Sequence, residues 1–308
     1  MLSQLLKKKR FWLLVVLVGL VLTPLILSFI HPGVPPEHMP VPNGFDDFAK
    51  AEAMLKGGLP DISTMGSEQL TQAFSEHAES LKLARSGLSK DCRVVLDRSA
   101  IGWTNLFEEL ALTKTLGLLL MRQGDLAQTN GDPKTAFEHY LEALQFTSKR
   151  FNGGLLLHKQ VAAALSHSVE TRLEALLPKL KQSDCTTAID MISELQKNEE
   201  PLAVVAKHDL DYGRAVTKIS MLQALWLRLL PNYKKAVASV ILKLQQAQNS
   251  RSHLLLAFAS RAYELDTGKP PAQTSDLVPK YLPTVPKDAI TGAELTLNPS
   301  APATTVRK

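Results

Sequence analysis

Cysteine is scarce in this chain: its 308 residues include only Cys92 and Cys185. The two lie 93 residues apart, and neither belongs to a CxxC pair or to a Cys/His cluster with metal-ligand spacing. This pattern argues against a zinc site, and we predict neither a metal nor a cofactor. The spacing leaves two alternatives open: a disulfide formed in an oxidising compartment, or two buried reduced thiols.

The chain also lacks the short motifs of common enzyme classes. It contains no HExxH, GxSxG or GxGxxG sequence. Its eight histidines are scattered, and adjacent acids such as Glu108 and Glu109 point to different faces of a helix. We therefore predict no catalytic residue and no enzyme activity. One combination stays open as an unrecognised active site, namely His158 with Glu170 and Asp211.

One long apolar run is present. Residues 11–30 (FWLLVVLVGLVLTPLILSFI) follow the basic residues 7–10 (KKKR). A helix needs roughly 20 apolar residues to cross the hydrocarbon core of a bilayer, so we predict a membrane anchor that begins at Phe11 and Trp12 and ends at Ile30. Signal-peptide cleavage needs small residues near the end of the run, where the bulky Ile30 stands instead. The anchor is therefore expected to be retained.

The charge distribution indicates the topology. Formal net charge is +5, and residues 7–10 supply four of these charges. Positive residues beside a span stay on the cytoplasmic side, so residues 1–10 are a predicted cytoplasmic tail at the inner (cytoplasmic) membrane. Residues 31–44, with five prolines, form a semi-rigid spacer that leads to an extracytoplasmic, periplasmic domain. The nearly balanced charge of that domain gives no reason to expect nucleic-acid binding.

Beyond the spacer, apolar residues recur at helical spacing and predict an all-α fold. We expect a helical extracytoplasmic domain over residues 45–251, a C-terminal helix with a small irregular cap over 252–298, and a disordered tail over 299–308. Ser67 is the expected N-cap of the second helix. The predicted helices cover residues 45–55, 67–88, 103–128, 134–151, 155–181, 186–196, 210–250 (interrupted at Pro231) and 252–265.

Residues 120–144 resemble the helical hairpin of tetratricopeptide repeats. The positions that match are Leu120, Gly124, Ala127, Ala136, Tyr140 and Ala143. In that arrangement Gly124 and Ala136 allow two helices to approach closely, and Tyr140 fills the space against the next helix. Asp132 and Pro133 are typical of a helix start. No second repeat of comparable clarity follows, so an ordinary αα-hairpin stays an alternative.

A repeat-like hairpin has a natural use, which is to hold a partner protein on its surface. The partner-binding face that we predict consists of Arg122, Gln123, Asn130 and His139. The expected function is therefore an interaction or scaffold module without catalysis, with an unknown protein partner and with the lipid bilayer contacted through residues 11–30.

The C-terminal residues 256–288 resemble the helix-then-loop segment of pseudopilins, the small fibre subunits of type II secretion. Gly268 is a suitable helix cap, and Pro270 prevents the helix from continuing. Tyr281 and Leu282 are then expected to fold back over the helix. This resemblance implies a second possible role, as an accessory component of a secretion or pilus-like assembly.

Taken over nearly its whole length, the chain resembles an uncharacterised bacterial family of membrane-anchored helical proteins. Four landmarks in order carry this resemblance, at residues 43–48, 83–94, 131–156 and 263–286. The family implies the anchor and the helical architecture, and it implies no catalytic residue.

Overall fold

A computed structural model describes residues 38–56, 59, 61–218 and 230–297 of the chain. The predicted anchor at 11–30, with Phe11, Trp12 and Ile30, lies outside the described residues, as do the 1–10 and 299–308 tails. None of the helices in the described part is long and apolar enough to cross a membrane.

The described residues form nine α-helices and no β-strand, which confirms the predicted all-α class. Two short 3-10 helices, Leu177–Lys179 and Thr274–Leu277, complete the elements. The nine helices are α1 (Gly44–Ala53), α2 (Ser67–Glu76), α3 (Ala78–Leu88), α4 (Ala100–Thr129), α5 (Pro133–Lys149), α6 (Leu156–Leu176), α7 (Gln182–Lys197), α8 (Leu202–Thr217) and α9 (Pro231–Thr267).

Local capping chemistry explains several of these boundaries. The Asp132 side chain accepts a hydrogen bond from the Thr135 amide at 3.0 Å, and Pro133 is the first residue of α5, which confirms the predicted helix start. Helix α9 ends at Thr267, and its C-cap Gly268 has a left-handed φ of 71°. The predicted cap there is also confirmed.

The prediction of one helix over residues 67–88 is wrong. His77 leaves the helical conformation and separates α2 from α3. The reason is packing, because α2 contacts α4 whereas α3 lies mainly against α1, and one straight helix could not serve both neighbours. Ser67 is the first helical residue, and the N-cap position belongs to Gly66, whose amide donates to Gln69 Oε1 at 3.0 Å.

The predicted break between residues 250 and 252 is also absent, since α9 runs through it without interruption. Asn249 and Ser250 are poor helix formers, but their side chains have tertiary partners. Asn249 Nδ2 donates to Asp288 at 2.8 Å, and Ser250 Oγ donates to Glu170 at 2.9 Å. These bonds hold both residues inside the helix.

The main hydrophobic core joins α1 to α7 with the C-terminal half of α9. Within it the predicted hairpin forms between α4 and α5. A Cβ atom on Gly124 would lie only 2.4 Å from Cε1 of Tyr140, so the tyrosine ring packs where a side chain is missing. Tyr140 and Ala136 are fully buried.

The C-terminal cap folds back over α9, as expected. The rings of Tyr263 and Tyr281 meet edge-on with 5.7 Å between centroids, and Leu282 is buried. Among the described residues of this cap, strand-like pairing is limited to one bridge between Lys287 and Glu294.

Both cysteines are buried and unbridged. Burial raises the pKa of Cys92 to about 12 and that of Cys185 to about 11, so both thiols are protonated at neutral pH and are poor nucleophiles.

Candidate functional site

Two residues of the predicted partner-binding face are engaged within the domain. Arg122 donates to the Met65 carbonyl at 2.7 Å and to Asp125 at 2.9 Å. Gln123 accepts from Arg85 Nη2 at 2.9 Å. Their side chains therefore hold α4 against its neighbours.

The other two residues of that face lie nearer to solvent. Asn130 is exposed at the turn between α4 and α5. His139 lies 3.5 Å from Glu142, which also receives a bidentate ion pair from Arg85. Burial raises the pKa of Glu142, but His139 and Arg85 outweigh that effect and lower it to about 2. Arg122, Gln123 and His139 thus take part in polar contacts within the domain, whereas Asn130 is exposed.

The predicted combination of His158, Glu170 and Asp211 does not converge. His158 and Glu170 are 12 residues apart on α6, which corresponds to about 18 Å along a helix axis. Glu170 accepts from Ser250 and lies 3.6 Å from Arg251, whereas Asp211 pairs with Arg214. The sequence could not give these partners, because all but Arg214 are distant along the chain.

The structure instead brings carboxylates together at a different place. A cavity of about 540 Å³ opens between α1, α4, α8 and the segment that precedes α4. We call it the acidic cavity, because Glu52, Asp97, Glu108 and Glu109 line it against only two cations, Lys56 and Arg150. Its remaining wall is largely apolar and includes Phe45, Val95, Leu106 and Leu112.

Arg150 lies at the buried end of this cavity and has no exposed surface. It donates through Nε to Glu52 at 2.7 Å and through Nη2 to Glu52 at 3.0 Å and to Glu109 at 2.8 Å. Thr113 Oγ1 donates to Glu52 at 2.8 Å. The Phe45 ring covers the guanidinium, with 4.6 Å from its centroid to Cζ. Arg150 Nη1 has no hydrogen-bond partner among the described residues.

His158 lies beside this network, and its Nε2 has no hydrogen-bond partner among the described residues. The Leu155 amide donates to its Nδ1 at 3.1 Å, so the neutral ring carries its proton on Nε2. That atom lies 3.8 Å from Glu109 Oε1. Burial lowers the pKa of His158, and Glu109 only partly opposes this effect. The imidazole is therefore neutral at pH 7.

Glu109 is the carboxylate that connects the buried network with the open cavity. Burial raises its pKa, but His158 and Arg150 outweigh burial and keep the pKa below its ordinary value. About a third of its side chain, 31%, is exposed. An ionised carboxylate is thus available on the cavity wall.

The sequence did not predict this site, although it contains one signal of it. Glu52 lies four residues after Phe48, on the buried face of α1 that also contains Ala51. An acid on an apolar helix face needs a buried partner. Its partner Arg150 is 98 residues away in sequence, so spacing alone could not identify it.

A second cavity, of about 410 Å³, is lined by residues of α5, α6, α7 and α9 together with Pro40. Its charges neutralise one another. Glu200 pairs with Arg93 at 3.2 Å and with Lys159 at 3.5 Å, and Glu199 pairs with Arg251 at 3.5 Å. This cavity therefore has no excess of either charge with which to select a ligand.

Across the part of the chain that the structure describes, no group of three or more His, Cys, Asp or Glu residues could hold a metal ion. No protein-family model matches the chain, and no curated protein or solved structure matches it significantly.

Proposed function

We propose that the chain is a single-pass, membrane-anchored scaffold whose extracytoplasmic helical domain binds a segment of a partner protein in the acidic cavity. The anchor is the apolar run at residues 11–30. The observation that carries the binding role is the excess of four carboxylates over two cations on a half-apolar cavity wall. The module has no catalytic role.

The chemistry of the cavity specifies the kind of segment. A volume of about 540 Å³ falls within the range of ligand pockets, which hold a few side chains. Lys56 pairs with Glu108 at 3.0 Å. Arg150 is shared by Glu52 and Glu109, so one negative charge remains in that cluster next to Glu109. Asp97 adds a further carboxylate to the wall, and Leu106 and Leu112 offer apolar surface. The matching segment has a Lys or Arg beside one or two apolar residues, since complementary charge gives orientation and specificity.

A peptide-binding assay tests this proposal. The probes are fluorescein-labelled octapeptides that alternate Leu with Lys or Leu with Glu, and the protein is the full-length chain in detergent. We expect the Leu-Lys peptide to bind and the Leu-Glu peptide not to bind. The double substitution Asn105→Lys with Glu108→Lys, at two exposed positions of the cavity wall, should weaken binding about tenfold (about 1.4 kcal/mol).

The matched control makes the same charge change elsewhere. Thr187→Lys with Asp190→Lys also alters two exposed positions three residues apart, on α7, and neither lines the acidic cavity. This control should change affinity less than twofold. Equal weakening by both double variants would show that net charge rather than the cavity governs binding. If Asn130→Ala weakened binding and the cavity substitutions did not, the binding site would be the partner-binding face that includes Asn130.

A role in a secretion or pilus-like assembly is a second candidate. The cap that folds back over α9, with Tyr281 against Tyr263, favours it. In that case Ile290→Glu, on the exposed surface of the cap, should abolish assembly, whereas the Asn105→Lys with Glu108→Lys variant should leave assembly intact.

A further inference from the structure

Charge is strongly segregated along the chain. Residues 212–263 contain eight Lys or Arg residues and no Asp or Glu. The rest of the chain is net acidic, with 27 basic and 30 acidic residues. Most of the acid-free stretch belongs to α9, so one long helix carries basic charge that the sequence around it does not balance.

The N-terminal half of α9 has two different sides. One side buries Leu244 and partly buries Val237 and Val240 in a small core with Val205 and Leu156. The opposite side is exposed and presents Lys234, Lys235, Leu242 and Lys243, which we call the basic face. None of its three lysines forms an ion pair with the described residues. Carboxylates of the described residues therefore do not neutralise this face.

The basic face is also close to the point where the chain enters the domain. Pro40 and Leu244 line the same cavity. Pro40 is the ninth residue after His31, so covalent geometry limits the distance between them to about 30 Å. The helix from residue 231 to Leu244 is about 20 Å long. A bilayer that holds residues 11–30 is thus within reach of the basic face.

From these observations we infer that the basic face docks on an anionic phospholipid surface and holds the domain against the membrane. This inference rests on the proposed anchor. Each lysine near an anionic surface raises the equilibrium constant for docking by on the order of fivefold. Three lysines together therefore raise it roughly a hundredfold. The anchor adds a high effective concentration, so a contact that would be weak in solution is sufficient.

Lysine reactivity in proteoliposomes tests the inference. The full-length chain is reconstituted in phosphatidylcholine vesicles, with or without phosphatidylglycerol, and is acylated with a membrane-impermeant N-hydroxysuccinimide ester. We expect several-fold slower acylation of Lys234, Lys235 and Lys243 in the anionic vesicles, and recovery in concentrated salt, which screens charge. Lys82 and Lys134, both largely exposed on other helices, are internal controls and should not change.

The outcomes separate this inference from the proposed function. If the chain does not float with either kind of vesicle, the anchor is refuted and the docking with it. If it floats but the three lysines react equally in both kinds, docking alone is refuted. Protection in both kinds that increases with the protein-to-lipid ratio would also overturn it, since a second copy of the chain would then cover the face.

A second readout guards against a folding artefact. Ser239 is exposed between the lysines, and Cys92 and Cys185 are buried, so Ser239→Cys gives a single reactive position for a fluorophore. Quenching by nitroxide lipids should be strong in anionic vesicles. It should fall to the phosphatidylcholine level when Lys234, Lys235 and Lys243 are changed to Gln, and it should persist when Lys82 and Lys134 are changed to Gln. Quenching that survives the triple change would refute docking through this face.

Discussion

Arg150 is the side chain on which the architecture of the acidic cavity depends, and Arg150→Met tests that dependence. The substitution keeps a long unbranched side chain but removes the charge and the three hydrogen bonds that Arg150 gives to Glu52 and Glu109. Glu52 is then a buried carboxylate whose only remaining hydrogen-bond donor among the described residues is Thr113.

The magnitude follows from burial. Removing one partner of a buried ion pair costs about 3–5 kcal/mol, because the remaining charge is left uncompensated. This is a large part of the 5–15 kcal/mol that typically stabilises a folded domain. Arg85→Met is the matched control. Arg85 also makes a bidentate pair, with Glu142, but the two side chains are 37% and 33% exposed. Water can therefore solvate the remaining Glu142 carboxylate, and removal of Arg85 should cost clearly less than removal of Arg150.

The assay is urea unfolding of the full-length chain in detergent, followed by circular dichroism. A second substitution, Glu52→Gln in the Arg150→Met chain, removes the stranded charge and should restore about 1–2 kcal/mol. Equal losses for Arg150→Met and Arg85→Met would refute the reasoning, as would a double variant less stable than Arg150→Met alone.

Two further predictions concern stability. Gly124→Ala should lower the free energy of unfolding by about 1–3 kcal/mol, because the new Cβ meets the Tyr140 ring. Gly213→Ala has open space around it and should raise that free energy by about 0.5–1 kcal/mol. Urea unfolding compares the two variants, and equal effects would contradict the packing argument. Burial lowers the pKa of His158, so the unfolded chain binds the proton more readily, and the free energy of unfolding should fall as pH drops below about 6.5. His158→Gln should flatten this dependence of stability on pH, whereas the exposed control His167→Gln should not.

Helix positions were predictable where local chemistry decides them. Asp132 and Pro133 begin α5 as expected, and Gly268 ends α9. In each case one or two residues supply the cap, so neighbouring sequence is sufficient.

The sequence was a poor guide where tertiary contacts decide. One predicted helix ends at residue 250 and another begins at 252, yet bonds from Asn249 to Asp288 and from Ser250 to Glu170 hold this segment inside α9. The same limit applies to the candidate site. Arg122 resembles a surface contact residue, but it donates to the carbonyl of Met65, 57 residues earlier in the chain. The helical spacing of residues in a sequence does not distinguish a polar side chain that bonds within the domain from one that contacts a partner.

Photocrosslinking in cells tests the central proposal, a partner segment in the acidic cavity, most directly. A benzoylphenylalanine at Val95, on the cavity wall and 47% exposed, is compared with one at Ile290, which is 45% exposed on the C-terminal cap. We predict one defined adduct from Val95, mapped to a segment with Lys or Arg beside apolar residues. It should disappear with Asn105→Lys and Glu108→Lys and persist with Thr187→Lys and Asp190→Lys. The same adduct from Ile290, or one that survives the cavity substitutions, would contradict the proposal.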